Sequence, residues 1–330
     1  MPHIIAILFL LILIFLNLFI GSAEIPAEEI FKVLTGQSDN EVFKVIILEN
    51  RLPQAVTALL AGAALAVSGL IMQTVFANPL AGPSVLGISS AASLGVAVVT
   101  FLFSTVFMDF NSTVSVIIGS LMGSAAVLAL LVVLSEILKN NLTLLIAGIM
   151  ISYLSGAAVT VLNFFGTEQS VKNFTVWNMG SFAGVTLNEI PVFAIVVTVF
   201  CAAAFLTVKP LNLLLLGENY AQNLGVNPAR TKTILLLLAG VLVSAVTAHC
   251  GPVAFIGLAV PHVARMVLKT SNHKRILPAS IYIGACIALM CNILCILPGD
   301  FGVLPLNAVT PVFGVPVVLW ILTHRQRMKM

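Results

Sequence analysis

The sequence predicts an all-α, polytopic membrane protein with about ten transmembrane helices. Three observations carry this. The chain is 60% hydrophobic and 8% charged with a mean hydropathy of +1.13, where a soluble domain carries about 25% charged residues. Its apolar residues gather into ten runs, at about 4–20, 52–76, 85–106, 114–138, 142–165, 190–208, 233–248, 254–268, 276–296 and 306–322. Every Lys and Arg except Arg265 falls outside the runs. No segment is both polar and long enough for a second domain, so 1–330 reads as one membrane domain.

In order, Ile4 to Ile20 is an apolar run followed by Gly21-Ser22-Ala23, which fits a signal peptide in outline. The residues before it hold His3 but no Lys or Arg, and more runs follow, so it is read as an uncleaved first helix. Residues 24–50 are polar and acidic, with Glu24, Glu28, Glu29, Asp39, Glu41 and Glu49 against Lys32 and Lys44. Leu52 to Phe76 is 25 residues without a charge, enough at 1.5 Å per residue to cross a bilayer core of about 30 Å. Arg51 and Pro53 mark its start; Asn78-Pro79 and Gly82-Pro83 mark its end. Ala58, Gly62 and Ala66 recur every four residues, a stripe that lets another helix approach to backbone contact.

The fourth run has Gly119 and Gly123 at GxxxG spacing, and the fifth has Gly148, Ser152 and Gly156 on one face. Residues 170–184 are too polar to span and read as interfacial or re-entrant, anchored by Trp177. Residues 211–228 mix polar and apolar positions around Gly217 and Gly225. The eighth run is expected to break at Pro261, leaving His262 beside freed carbonyls. On the ninth, Ser280, Gly284, Ala288 and Asn292 share a stripe. An inverted repeat is possible. The second and seventh runs would point oppositely, each with an Ala-Gly pair (Ala61-Gly62, Ala239-Gly240) and a proline-broken element after it.

Cations set the orientation. With the amino terminus inside, eleven Lys and Arg lie on the cytoplasmic side: Lys139, Lys209, Arg230, Lys232, Arg265, Lys269, Lys274, Arg275, Arg325, Arg327 and Lys329. Four lie outside: Lys32, Lys44, Arg51 and Lys172. Both termini are then cytoplasmic. The chain has no Gly-Lys pair and so no Walker A loop, no HExxH, CxxC or GxSxG, and no credible nucleophile and base. It is read as non-catalytic. The five cysteines lie in or beside apolar runs, so no disulfide framework follows. Cys291 and Cys295, one turn apart, read as buried apolar residues rather than metal ligands.

Two stretches carry a family resemblance. Arg51-Leu52-Pro53, then GAALAVSG at 62–69, then Gln73, Asn78-Pro79-Leu80-Ala81, Pro83 and Leu86-Gly87-Ile88-Ser89 closely resemble the second helix and following loop of FecCD-type permeases. Phe255-Ile256-Gly257-Leu258, Val260-Pro261-His262, Ala264-Arg265 and 273–278 resemble a later segment. These permeases are the membrane subunits of ABC importers for ferric siderophores, haem and cobalamin.

The resemblance implies a homodimer or a pair with a paralogue, two separate ATPase subunits that hold ATP and Mg, and an extracytoplasmic substrate-binding protein. No cofactor is held by this chain, and lipid rather than nucleic acid surrounds it in the cytoplasmic (inner) membrane. It also implies that 211–227 is the loop that meets the ATPase, through Leu216, Gly217, Glu218, Ala221 and Gly225, with a glycine cap at Gly225. Gating or structural roles are expected at Asn78, Pro79, Gly148, Ser152, Gly156, Pro261, His262 and Arg265. For His262 and Arg265, satisfying backbone groups at a helix end is the simpler expectation.

In the cobalamin member of the family, arginines at these outer positions meet acidic residues on the binding protein, and the resemblance implies the same use here. Here Arg51 is present, Gln54 stands where a second arginine often does, and Asn292 and Ile296 replace an aspartate and another arginine. Arg51 and Gln54 are therefore the expected docking residues. The competing class, an ion-coupled secondary transporter, needs acidic or histidine relays inside the spans, for which only His262 offers itself.

Overall fold

The structure, a computed structural model, describes residues 2–103, 113–138, 140–299 and 302–324. Lys139, Arg325, Arg327 and Lys329, and the end of the third run at 104–106, lie outside the described residues. Among the described residues there is no strand. The helices are α1 (Pro2–Phe19), α2 (Ala27–Leu34), α3 (Glu41–Lys44), α4 (Leu52–Val75), α5 (Ile88–Val98), α6 (Thr113–Ile137), α7 (Asn141–Phe165), α8 (Glu168–Asn178), α9 (Ile190–Leu206), α10 (Val208–Leu214), α11 (Glu218–Asn223), α12 (Pro228–Cys250), α13 (Ile256–Leu268), α14 (His273–Ile296) and α15 (Leu306–His324).

Five of these helical stretches are long and apolar enough to cross a membrane, α9 and α10 add a bent pair, and four shorter apolar helices accompany them. Together they coincide with the ten predicted runs. The largest boundary difference is at the second. A π-helical turn over Val45–Arg51 joins α3 to α4, so one helix runs from Glu41 to Val75. Pro53 was expected to mark its start. The wider turn just before Pro53 gives the ring room and removes the need for its missing donor, so the helix passes through.

α4 is the central element. Over its most apolar stretch 83% of residues are buried, against 22% in α7. The small-residue stripe explains how. A Cβ on Gly62 would collide with the Gly284 carbonyl of α14, and a Cβ on Gly284 with the Gly62 carbonyl. Higher on the same helix, a Cβ on Gly69 would overlap the Gly257 carbonyl of α13. Lipid tails are as apolar as leucine, so helices in a bilayer gain by close packing rather than by leaving water. Ser68 adds a hydrogen bond across to α12, donating to the Ala239 carbonyl at 3.1 Å.

A second pair repeats the device. Gly119 and Gly123 of α6 meet Gly95 and Ala91 of α5 at backbone distance. The glycine spacing in the fourth run thus has its partner in the third. The stripe on α7 divides: Gly148 packs on Leu86, whereas a Cβ on Gly156 would have nothing within 4 Å.

One more proline expectation changes. α13 continues through Pro261 instead of breaking there. Pro261 cannot donate to the Gly257 carbonyl, and that carbonyl is the one pressed against Gly69. Its lost partner is replaced by close contact with α4, where Cα–H groups offer weak donors. The sixth run ends in a bend: α9 and α10 meet at 57°. Pro210 has no N–H for the Leu206 carbonyl, and the Thr207 hydroxyl donates to the Ala204 carbonyl at 2.7 Å, closing α9 early. The interfacial reading of 170–184 corresponds to α8 and an irregular turn. Asn307 at the head of α15 accepts from Ala254 N at 3.1 Å and donates to the Pro252 carbonyl at 2.7 Å. Ser181 N donates to the Cys250 carbonyl at 2.9 Å, so α8, α12 and α15 are tied at one end.

Gly62→Val is expected to force α4 and α14 apart at a cost of about 1–3 kcal/mol or more. Gly156→Ala is expected to be neutral or slightly stabilising, by up to about 1 kcal/mol. Unfolding of the two purified variants in bicelles measures the contrast; equal midpoints would contradict the packing described.

Candidate functional site

Two regions draw the chemistry-bearing residues together. One lies where the C-terminal end of α4 meets α10 to α14. α11 is six residues long and bounded by glycines with positive φ, Gly217 at +102° and Gly225 at +84°. Gly225 N donates to the Gln222 carbonyl and Val226 N to the Ala221 carbonyl, both at 3.0 Å, the paired bonds of a glycine-capped helix end. The cap expected at Gly225 is present. Ala221 is buried, while Leu216, Tyr220 and Leu224 are exposed. The exposed side is a short amphipathic surface with no covering among the described residues.

Beside it, the turn after α4 is clamped. Asn78 Oδ1 accepts from Leu80 N at 2.9 Å, the local turn chemistry of asparagine before proline. His262 Nε2 donates to the Pro79 carbonyl at 2.7 Å. Arg265 donates to Gln73 Oε1 at 2.7 Å, and Gln73 Nε2 donates to the Leu258 carbonyl at 3.0 Å. His262 is 7% exposed. Its ring holds a backbone carbonyl of the turn beyond α4, where no helical donor is in register. Asn78, Pro79, Pro261, His262 and Arg265 therefore assemble as one clamp on the helix end. His273 was missed from sequence. Its Nε2 lies 2.9 Å from Thr74 Oγ1, and its backbone N donates to Asn212 Oδ1 at 2.8 Å. That bond joins α4, α14 and the α10 segment leading into α11.

The other region is the amino-terminal end of α4, where the docking expectation is corrected. Arg51 and Gln54 were expected to face a binding protein. The structure buries both, at 5% and 7% exposed. The Arg51 guanidinium donates to the Leu18 carbonyl at 2.7 Å and the Phe19 carbonyl at 3.1 Å, and also to the Ala23 carbonyl. α1 ends there, and the last carbonyls of a helix lack intrahelical donors, so the guanidinium caps it. Gln54 Nε2 donates to Asn292 Oδ1 at 2.9 Å, and Asn292 Nδ2 donates to Asn17 Oδ1 at 2.8 Å. Asn17 Nδ2 donates to the Leu13 carbonyl at 2.8 Å and the Leu289 carbonyl at 3.3 Å. This amide chain joins α4, α14 and α1. It uses two of the three positions, Gln54 and Asn292, at which the sequence departs from the family pattern.

α2 and α3 carry charges that stay in reach of water near this end, beside the exposed Glu24, Asp39 and Glu49. Lys32 sits 2.8 Å from Glu28 and 3.0 Å from Glu29. Its hydrogen bonds to Glu28 and Glu29 hold the ammonium above its usual range, and the Lys32 hydrogen bond holds the Glu29 carboxyl below its own. Gly148, Ser152 and Gly156 line α7, whose outward face shows Tyr153, Leu154, Phe164 and Phe165. Ser152 Oγ donates to the Gly148 carbonyl at 3.2 Å.

A cavity of about 560 Å³ lies among α5, α8 and the end of α12, lined by Thr100, Lys172, Phe174, Trp177 and His249. Among the described residues no three His, Cys, Asp or Glu side chains gather as a metal set, and Cys291 and Cys295 are buried.

A family model described as the FecCD transport family matches residues 9–324. The hemin transport system permease protein of Yersinia pestis is 37% identical over 331 residues, covering 97% of this chain and 96% of its own. The vitamin B12 import system permease protein of Klebsiella pneumoniae is 33% identical over 318 residues, covering 96% and 91%. A solved structure described as an inward-facing conformation of a metal-chelate type ABC transporter matches with a TM-score of 0.85 at 28% identity. That match covers 98% of this chain and 100% of the other.

Arg51→Met leaves three buried or half-buried carbonyls without their donor, and each unsatisfied group costs about 1–3 kcal/mol. The expected outcome is a lowered unfolding midpoint in bicelles at both low and high salt. An unchanged midpoint, with a salt-dependent loss of binding-protein affinity, would return Arg51 to the docking surface.

Proposed function

This chain belongs to the FecCD transport family, and from that premise we propose that it is the translocating subunit of an ABC importer for a metal chelate, namely a ferric siderophore, haem or cobalamin. It is multi-pass in the cytoplasmic membrane. The observation that carries the reading furthest is the match to a metal-chelate type ABC transporter over 98% of the chain. It agrees with the glycine-bounded α11, on and beside which the side chains of Leu216, Tyr220 and Leu224 stand exposed.

In this reading a separate ATPase subunit supplies ATP hydrolysis with its own Mg, and its groove receives α11. An amphipathic segment laid into an apolar groove is a common docking mode. Two permease copies, or this chain with a paralogue, enclose the path for cargo. The outward face of α7, with Tyr153, Leu154, Phe164 and Phe165 exposed, supplies surface for that path or for the second copy. A binding protein delivers cargo from outside. Because Arg51 is engaged inside the chain, its docking falls to exposed groups of α2, α3 and the other outer loops, Lys32, Lys44 and Lys172 among them.

The cation count places α11 inside. In support, Lys232 and Arg265 lie on the same hydrogen-bonded end as α11 and His273. Ion-coupled transport is the less favoured reading, since His262 is engaged with Pro79 and not poised along a relay.

Proteoliposomes holding the chain with its ATPase are expected to accumulate one of hemin, a ferric siderophore or cobalamin only when ATP is supplied on the α11 side. Accumulation driven by a proton gradient without the ATPase would overturn the reading. Gly225→Val strains a position at φ +84°, by roughly 1–2 kcal/mol. It is expected to leave insertion intact and to lower transport and cargo-stimulated hydrolysis together. In a cysteine-free background, Asn272→Cys is expected to escape impermeant thiol labelling in intact cells. Labelling there would reverse the orientation.

A further inference from the structure

Asn141, Glu218 and Lys232 close a ring in which every pair touches. Lys232 Nζ lies 2.6 Å from Glu218 Oε1 and donates to Asn141 Oδ1 at 2.7 Å. Asn141 Nδ2 donates to the same carboxylate oxygen at 2.9 Å. The three come from separate elements: the first residue of α7, the first residue of α11 and the second turn of α12. The Lys232 side chain is 10% exposed and that of Glu218 40%, so the ring has one buried end and one end open to water.

Removing one member of a buried charge pair leaves the other uncompensated, while the intact pair contributes little net stability. Fixing one arrangement of elements against another is the better-attested use of such a pair. Here the elements are those that need fixing. Ala221 is the one buried residue of α11. A Cβ at Gly217 or at Gly225 would meet nothing within 4 Å, so both glycine ends stand in open space. A segment hung between two such glycines can shift as a unit. The apolar Ala221 contact can slide when it does. The ring cannot, because two formal charges and an amide must keep their partners or lose all three bonds.

We propose that Asn141, Glu218 and Lys232 are the positioning residues that pass a displacement of α11 to the first turns of α7 and α12. The inference rests on the reading of α11 as the ATPase docking element and supplies the link from it to the spanning helices. With the ring intact, α7 follows α11. With it broken, the ATPase binds and turns over but α7 stays where it is.

The test uses the full chain in complex with its ATPase in lipid nanodiscs, with the five cysteines replaced. Nitroxides are placed at Leu11 on α1 and Leu154 on α7, both exposed. Their distance is read without nucleotide and with ATP and vanadate, so no cargo is required. The expected result is a nucleotide-driven shift in the parent. It is abolished in Lys232→Met, with the ATPase still bound and its hydrolysis within about twofold of the parent. The exchange Glu218→Lys with Lys232→Glu is expected to restore the shift, because the Asn141 amide can turn over and serve the reversed ring. A purely structural ring would lower the unfolding midpoint without this loss and recovery of movement.

An undiminished shift in Lys232→Met overturns the proposal, as does a parent α7 that does not move. If Lys232→Met does not fold, Asn141→Ala replaces it, with the same loss expected and the same retention overturning. Tyr220→Asp, on the exposed side of α11, separates the two readings. Unchanged ATPase affinity in that variant removes the docking reading. Affinity lowered tenfold or more, together with an undiminished shift in Lys232→Met, removes the ring alone.

Discussion

Backbone contact between α4 and α14 at Gly62 and Gly284 is the constraint on which the rest depends. The contact is reciprocal: each glycine occupies the space that a Cβ on the other would need. In water, burial of larger apolar side chains could hold two helices together at a greater distance. In lipid that driving force between helices is absent, and what remains is the number of atoms in contact and the bonds between polar groups. Small residues maximise contact by letting the axes approach. α4 does this at two heights on one face, against α14 through Gly62 and against α13 through Gly69. α12 closes on it through the Ser68 hydroxyl. A helix enclosed in this way becomes the fixed reference against which peripheral helices can be displaced.

The enclosure determines what the polar side chains can do. Once α4, α13 and α14 meet at backbone distance, a polar group in the seam is costly unless it finds a partner inside it. The Thr57 and Ser280 hydroxyls have none among the described residues, whereas the larger amides and cations are paired. Gln54 and Asn292 pair with each other and reach Asn17. Arg51 caps α1. Arg265 and His262 hold the turn after α4 through Gln73 and Pro79. These residues look functional in a linear reading because charges and amides inside apolar runs are costly. The cost is met here by structure, and large exposed side chains stand elsewhere, on α2, α3, α7 and α11 among others.

A division of labour follows between the helices. α4 and α12 are the most buried of the long spans, at 83% and 72% of their most apolar stretches, while α6 and α7 are at 28% and 22%. α7 meets the rest mainly at its Gly148 side and shows a broad aromatic and aliphatic face outward. A permease that works by alternating access needs elements that stay and elements that shift. The distribution of burial separates the enclosed α4 and α12 from the peripheral α6 and α7.

The sequence by itself determined the class, the ten apolar runs, the small-residue stripes and the glycine cap at Gly225. Each of these depends on local composition or on a spacing of a few residues. Mean hydropathy decides between bilayer and water. A four-residue repeat of Ala and Gly predicts close approach whichever helix turns out to be the partner, and left-handed φ at a helix end favours glycine wherever that end lies. The tertiary structure alone decided which partner each stripe meets and where each polar side chain ends. Arg51 could not be assigned from its neighbours, because its acceptors are carbonyls of α1 brought close by folding. Lys232 read as one cation among eleven on its side, and only the packing of α7, α11 and α12 shows it facing Glu218 and Asn141. Pro53 and Pro261 were read as breaks because a proline removes a donor locally. Whether the helix stops depends on whether a π turn or a neighbouring glycine makes that loss tolerable, and this is a property of the fold.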